Sequence, residues 1–187
     1  VAAQIAEGKF PTEAGGVRVL VGGVPAPLLY VSATQINAIL PFDLGDDPVA
    51  PVVVERDGVP GNVFAMTVVE AAPGPFQQAP PNASFGAILN QNGTLNSLAN
   101  PARAGSVVSL WASGLGAFSP PLADGEIVGT TGPFPGLEAE ISVEFCAIPT
   151  EVRYAGVAPG LAAGIAQINF VVPKGISSGL APVRIRA

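Results

Sequence analysis

Gly175-Ile176-Ser177-Ser178-Gly179 has the G-x-S-x-G spacing of a nucleophile elbow, which presents a serine on a sharp strand-to-helix turn. A serine hydroxyl becomes a nucleophile when a neighbouring base takes its proton, and histidine is the usual base. The chain has no histidine, so Lys174 in a Ser–Lys arrangement is the remaining option, and nothing in the flanking sequence activates that lysine. The segment is expected to be a turn. Asp43, Asp46 and Asp47 form the densest acidic loop, and calcium is held by several oxygen ligands on flexible loops of this kind. Their spacing is not that of an EF-hand loop, and a solvated turn is the expectation. Glu138, Glu140 and Glu144 are expected on one strand face at period two, opposite Ile141, Val143 and Phe145. Paired carboxylates serve glycoside hydrolysis when a pocket holds the sugar between them; on an open strand face they make a solubilising stripe. Trp111 is the one candidate for stacking on a sugar or a protein partner. Packing under a Pro-rich connector or between two domains is the reading preferred for it. No residue is assigned a catalytic, cofactor-binding or metal-binding role, and no cofactor is expected.

The composition supports that restraint. Of 187 residues, 23 are Gly and 20 are Pro, hydrophobic residues make up 49 % and charged residues 12 %. Such frequent backbone breaks exclude a helical bundle or coiled coil, and the apolar content excludes a charge-driven disordered chain. The net charge of −6 comes with eight scattered basic residues, which give no stripe to follow a phosphate backbone, so nucleic acid is not an expected partner. Three uncharged windows, Val19 to Phe42, Ala104 to Ala123 and Tyr154 to Pro173, are each long enough to span a bilayer. All three are broken by Gly, Pro and polar residues and alternate in hydropathy, so no membrane span is expected. Cys146 is the only cysteine and has no internal disulfide partner. No signal-peptide pattern is present, and the numbering is expected to begin inside a longer precursor.

The elements that must position these side chains come in two sets. Val24-Pro25-Ala26-Pro27-Leu28-Leu29-Tyr30 matches Ile148-Pro149-Thr150-Glu151-Val152-Arg153-Tyr154 at an offset of 124. Gln35-Ile36-Asn37-Ala38-Ile39-Leu40-Pro41 matches Gln167-Ile168-Asn169-Phe170-Val171-Val172-Pro173 at an offset of 132, the extra residues falling in the loop Ala155 to Ala166. Ala50-Pro51-Val52-Val53-Val54 matches Ala181-Pro182-Val183-Arg184-Ile185 at an offset of 131. Three blocks in order read as an internal duplication. Val17, Val19 and Val21, like Ile141, Val143 and Phe145, alternate as half-buried strands do. Ile36, Ala38 and Leu40, and Ile168, Phe170 and Val172, are expected to face the core. Gln35 and Asn37, and Gln167 and Asn169, fall on the other face, where bonds from their amides to loop backbone are the preferred account. Tyr30 and Tyr154 recur at matched positions and are assigned a role in the fold. Val107 to Ala112 is a strand with Trp111 outward, and Asn92-Gly93 predicts a two-residue hairpin turn. Ala71 to Ser84 is the expected linker. The sequons Asn82-Ala83-Ser84 and Asn92-Gly93-Thr94 read as chance matches.

The fold class expected is all-β: two tandem Ig-like β-sandwiches related by internal duplication, residues 1–76 and 101–187, joined by a Pro-rich connector and hairpin, 77–100. The alignment leaves the first copy without an opening strand and the second without a closing one. The chain is then either a fragment or is completed by another chain, and the unpaired edges are where homo-oligomer contacts are expected.

Several segments resemble a large uncharacterised C-terminal domain family abundant in Solibacter and related acidobacteria. They are Gly22-Gly23-Val24-Pro25-Ala26-Pro27-Leu28-Leu29-Tyr30-Val31-Ser32, Gln35-Ile36-Asn37, Ala72-Pro73-Gly74-Pro75-Phe76, Leu95-Asn96-Ser97, Asn100-Pro101-Ala102-Arg103 and Ala112-Ser113-Gly114-Leu115-Gly116. The resemblance runs from about Pro11 to Pro182. It implies a C-terminal module of large secreted or surface proteins with no established activity, each half similar to an IPT/TIG domain of the Ig-like E-set class. The function expected is a non-catalytic spacer or interaction module with an unknown protein or surface partner; the alternative is a carbohydrate- or calcium-binding sandwich using Trp111 or the Asp43–Asp47 loop.

Overall fold

The computed structural model describes residues 2–81 and 84–187, and within them the chain is all-β, without an α-helix. Asn82 and Ala83, and with them the first sequon, lie outside the described residues. The chain divides into two compact units that are not contiguous in sequence. Unit one comprises Val1–Glu70, Leu122–Thr130 and Pro159–Gly164; unit two comprises Ala71–Pro121, Thr131–Ala158 and Ile165–Ala187.

Unit one carries β1 (Glu13–Ala14), β2 (Val17–Val21), β3 (Val24–Pro25), β4 (Leu28–Val31), β5 (Ile36–Ala38), β6 (Val49–Arg56) and β7 (Val59–Thr67). One sheet has the order β1-β2-β6-β7 with β3 also on β2, and β4 and β5 form a second, two-stranded sheet. The core consists of Val19, Val21, Ala26, Leu28, Val31 and Ala50, with Ile36, Val52 and Met66 packed against it. Alternation dictates this: Val19 and Val21 point inward while Arg18 points out, where it pairs with Glu55 across the strands at 3.5 Å.

Unit two carries β8 (Gly74–Pro75), β9 (Ile88–Leu89), β10 (Val107–Ser113), β11 (Phe118–Ser119), β12 (Gly136–Leu137), β13 (Ser142–Phe145), β14 (Ile148–Thr150), β15 (Val152–Val157), β16 (Ile165–Val171) and β17 (Val183–Arg186). A seven-stranded sheet runs β11-β12-β15-β16-β10-β8 with β9 also on β10, and a three-stranded sheet runs β14-β13-β17. The expected linker is not free chain. Its Gly74–Pro75 pairs with Ser113 and Ala112, and the Phe76 N–H donates to the Trp111 carbonyl at 2.9 Å, so Pro75 lies in an edge strand, where a missing N–H costs no ladder bond. The hairpin at Asn92-Gly93 closes one residue wider than expected, with the Asn90 N–H bonding the Thr94 carbonyl around Gly93 at φ +79°.

Corresponding strands pair in corresponding register. Leu20 faces Pro25 and Val21 faces Val24; at an offset of 124, Glu144 faces Pro149 and Phe145 faces Ile148. Val19 faces Val54 and Val21 faces Val52, as Val143 faces Ile185 and Phe145 faces Val183. Tyr30 lies opposite Asn37 with a register shift after Leu28, and Tyr154 lies opposite Asn169 with a register shift after Val152. The two-residue turns correspond as well. Gly22 and Gly23 have φ of +59° and +82°, while Cys146 and Ala147 hold +53° and +63° without being glycine.

Two expectations are corrected. Ala38 and Leu40 are exposed, not in the core, β5 having among the described residues a neighbour on one edge only; Ile168 and Phe170, between two neighbours, and Val172 just after them are buried as expected. Glu138 and Glu140 do not share a strand face with Glu144. Between Leu137 and Ser142 the chain passes from the seven-stranded to the three-stranded sheet, which breaks the alternation.

Candidate functional site

The side chains with recognition chemistry that the fold brings together lie on the outer face of β10, β16 and β15. Cross-strand register puts Ser109, Asn169 and Tyr154 in one row and Trp111, Gln167 and Gly156 in the next. The opposite face carries Val108, Leu110, Ile168, Phe170, Ala166 and Val157, all buried. One strand therefore commits its apolar half inward and leaves its amides and ring outward. The register shift after Val152 turns Tyr154, and not Arg153, onto the outer face. All these outer residues are half-buried except Gly156, which is buried.

Side-chain hydrogen bonds tie together the amides and the tyrosine of this face. Gln167 Nε2 donates to Asn169 Oδ1 at 2.9 Å, and Gln35 Nε2 donates to Asn37 Oδ1 at 2.7 Å. The amides thus bond to each other, not to loop backbone as expected. Residues two apart on a strand stand side by side, close enough for that bond. Tyr154 Oη donates to the Val157 carbonyl at 2.7 Å, and burial raises its pKa above the ordinary 10.0. The tyrosine reaches that carbonyl by lying over Gly156, where a Cβ would come within 2.9 Å of the phenol oxygen and 2.8 Å of the Pro135 carbonyl. Gly156 is a position that motif and spacing alone do not single out. Its signal was available: a glycine two residues after an aromatic, on the same strand face.

The other sequence candidates are dispersed. Gly175 to Gly179 forms turn and bend between β16 and β17, with Ser177 exposed and no helix following. The Lys174 stem lies against Gly105. Asp43 Oδ1 accepts the Gly45 N–H at 3.1 Å and Asp47 Oδ1 accepts the Val49 N–H at 2.9 Å, so both carboxylates shape their own loop. Among the described residues no three Asp, Glu or Cys side chains gather as a metal-ligand group. Glu144 is held between Arg184 and Arg186, at 3.6 and 2.5 Å. Cys146 is free and exposed at its hairpin tip. A shallow hollow lined by Gln78, Phe85, Ser97, Leu98 and Ala99 offers one amide, whose Nε2 already donates to the Gly86 and Asn96 carbonyls. No helix among the described residues is long and apolar enough to cross a membrane.

The class defined by this architecture is all-β, built of several open sheets. Comparison with family models, curated proteins and solved structures finds no match to the chain.

Proposed function

We propose that the chain is a non-catalytic module of two tandem Ig-like β-sandwiches of the IPT/TIG type, related by internal duplication. It would be part of a larger secreted or surface-displayed bacterial protein of the Solibacter-type C-terminal domain family, acting as a spacer or protein-interaction domain. The observation that carries this reading is the repeated register. Hairpin, tyrosine bulge and Gln–Asn strand recur at the offsets where their sequences recur. What the two halves have in common is fold-making chemistry: prolines on edge strands, an amide pair on one strand and a tyrosine opposite an asparagine. The side chains with reactive potential, Ser177, Lys174 and the Asp43–Asp47 loop, have no counterpart of the same type in the other half. Sites inherited from a common ancestor would recur; these do not.

The test is a panel of ester, peptide and glycoside substrates, run beside thermal shift with calcium and with glycans. The expected result is no turnover and no shift. A reproducible activity abolished by one substitution overturns the proposal, and a calcium or glycan shift replaces it with a ligand-binding module.

A further inference from the structure

β16 is paired along both edges, by β15 and by β10, whereas β5 pairs with β4 alone among the described residues. The Val172 N–H donates to the Ser106 carbonyl at 2.9 Å, so the backbone groups of Ile168, Phe170 and Val172 are those turned toward β10. Their counterparts at an offset of 132 are Ile36, Ala38 and Leu40. The intervening residues turn the other way: the Ile39 N–H bonds the Pro27 carbonyl and the Gln35 carbonyl accepts the Ser32 N–H. One edge of β5 therefore presents backbone donors and acceptors with no strand opposite.

Unit one also leaves apolar side chains uncovered. Leu40 is 46 % exposed, and on the core-facing side of the other sheet of unit one Val54 is 40 % and Phe64 72 % exposed. Val54 is paired with buried Val19 and Phe64 with Val52, so both belong to the inward face and yet stay exposed. The stretch from Val19 to Phe42 carries no charge, and neither does β10, the strand that fills the equivalent place in unit two. β10 points Val108, Leu110 and Ala112 inward and all three are buried.

We infer that the open edge of β5 binds an uncharged, extended segment of another polypeptide, added antiparallel with alternate apolar residues inward, as β10 is added to β16. Main-chain bonds to Ile36, Ala38 and Leu40 would supply affinity, and the exposed apolar side chains Leu40, Val54 and Phe64 would select the inward side chains. The inference rests on reading the two units as copies of one another.

The test uses the full chain and a synthetic peptide of residues 105–113. The expected result is slowing of amide exchange by about tenfold or more at Ile36, Ala38 and Leu40, with the amides of β16 unchanged. A peptide carrying Leu110→Asp should give no protection. Leu40→Asp and Phe64→Ser, both at exposed positions, should weaken binding by about tenfold or more while leaving the circular dichroism spectrum intact. No protection at millimolar peptide overturns the inference and leaves the repeat reading standing. Protection confined to other strands, or to β5 in a different register, overturns both. A dimer that buries β5 and resists the peptide also overturns it, since the occupant is then a second copy.

Discussion

Ile168 and Phe170 are 0 % exposed, held between β10 and β15, while their counterparts Ile36 and Ala38 are half-buried and exposed on a strand with one neighbour. The local construction of the two strands is the same. Each has a tyrosine opposite its asparagine, a bulge before that tyrosine and a Gln–Asn amide bond. Burial is therefore decided by the strand on the far edge and not by the motif. The same residues make core in one setting and edge in the other.

The largest expected effect tests this difference directly. Ile168→Ala removes methylenes from a fully buried site and is expected to cost about 2–5 kcal/mol, whereas Ile36→Ala, beside an open edge, is expected to cost about 1 kcal/mol. Trp111, the only tryptophan, reports unfolding of unit two by fluorescence in urea, and amide exchange of β4 and β5 reports unit one. Equal losses at the two positions would mean that the edge of β5 is covered in solution.

The next effect concerns the residue that follows each tyrosine by two. Gly156 lies under the Tyr154 ring; in the first copy its place is taken by Ser32, whose Oγ accepts the Thr34 and Gln35 N–H groups at 3.3 and 3.0 Å. A serine that closes a tight turn suits the short connection to Gln35, and a glycine under a ring suits the longer excursion through Pro159–Gly164. Gly156→Ala is expected to cost about 1–3 kcal/mol by overpacking, against about 0.5–1 kcal/mol for Ser32→Ala, both read from denaturation midpoints. If Gly156→Ala is neutral, Tyr154 does not hold this position.

How far the sequence revealed the molecule follows from the same contrast. Period-two alternation placed Val19, Val21 and Val143 in the core, because a strand with one buried face has no other way to alternate. Matched spacing paired both tyrosines and both Gln–Asn strands. Alternation failed for Ala38 and Leu40, since it reports which face a residue takes and not whether anything covers that face. It failed for Glu138 and Glu140 because the chain changes sheets before Ser142. The outer face around Trp111 was legible one residue at a time, but its assembly required the register of β10 on β16 and of β15 on β16.

A smaller effect separates the two turns. Gly22-Gly23 takes positive φ freely, whereas Cys146 and Ala147 hold it against a Cβ that costs about 1–2 kcal/mol per residue, partly offset by the about 0.5–1 kcal/mol that glycine loses in chain entropy. Ala147→Gly is therefore expected to raise stability by about 0.5–1 kcal/mol, and Gly23→Ala, at φ +82°, to lower it by about 1 kcal/mol. Opposite signs in the midpoint shifts are the result that matters. The same sign in both would show that the turns do not share a backbone.

The last contrast is between the two tyrosines. Tyr154 is half-buried and donates to the Val157 carbonyl, while Tyr30 is 38 % exposed. Desolvation raises the Tyr154 pKa above 10.0, so the folded state favours the neutral phenol more than the unfolded state does. The unfolded chain then loses its proton first as pH rises. The stabilisation from Tyr154 is complete below the unfolded value and is lost as pH climbs through the folded one. The phenolate also has no proton to give the Val157 carbonyl. Tyr154→Phe keeps the ring over Gly156 but deletes the hydroxyl, so it is expected to lower stability at neutral pH by about 1 kcal/mol, with Tyr30→Phe costing less than about 0.5 kcal/mol. Between about pH 9 and about pH 11 the Tyr154→Phe protein should lose stability less steeply than the parent, and the two curves should converge. Parallel curves across that range would remove Tyr154 from the alkaline transition and leave its hydrogen bond as its whole contribution.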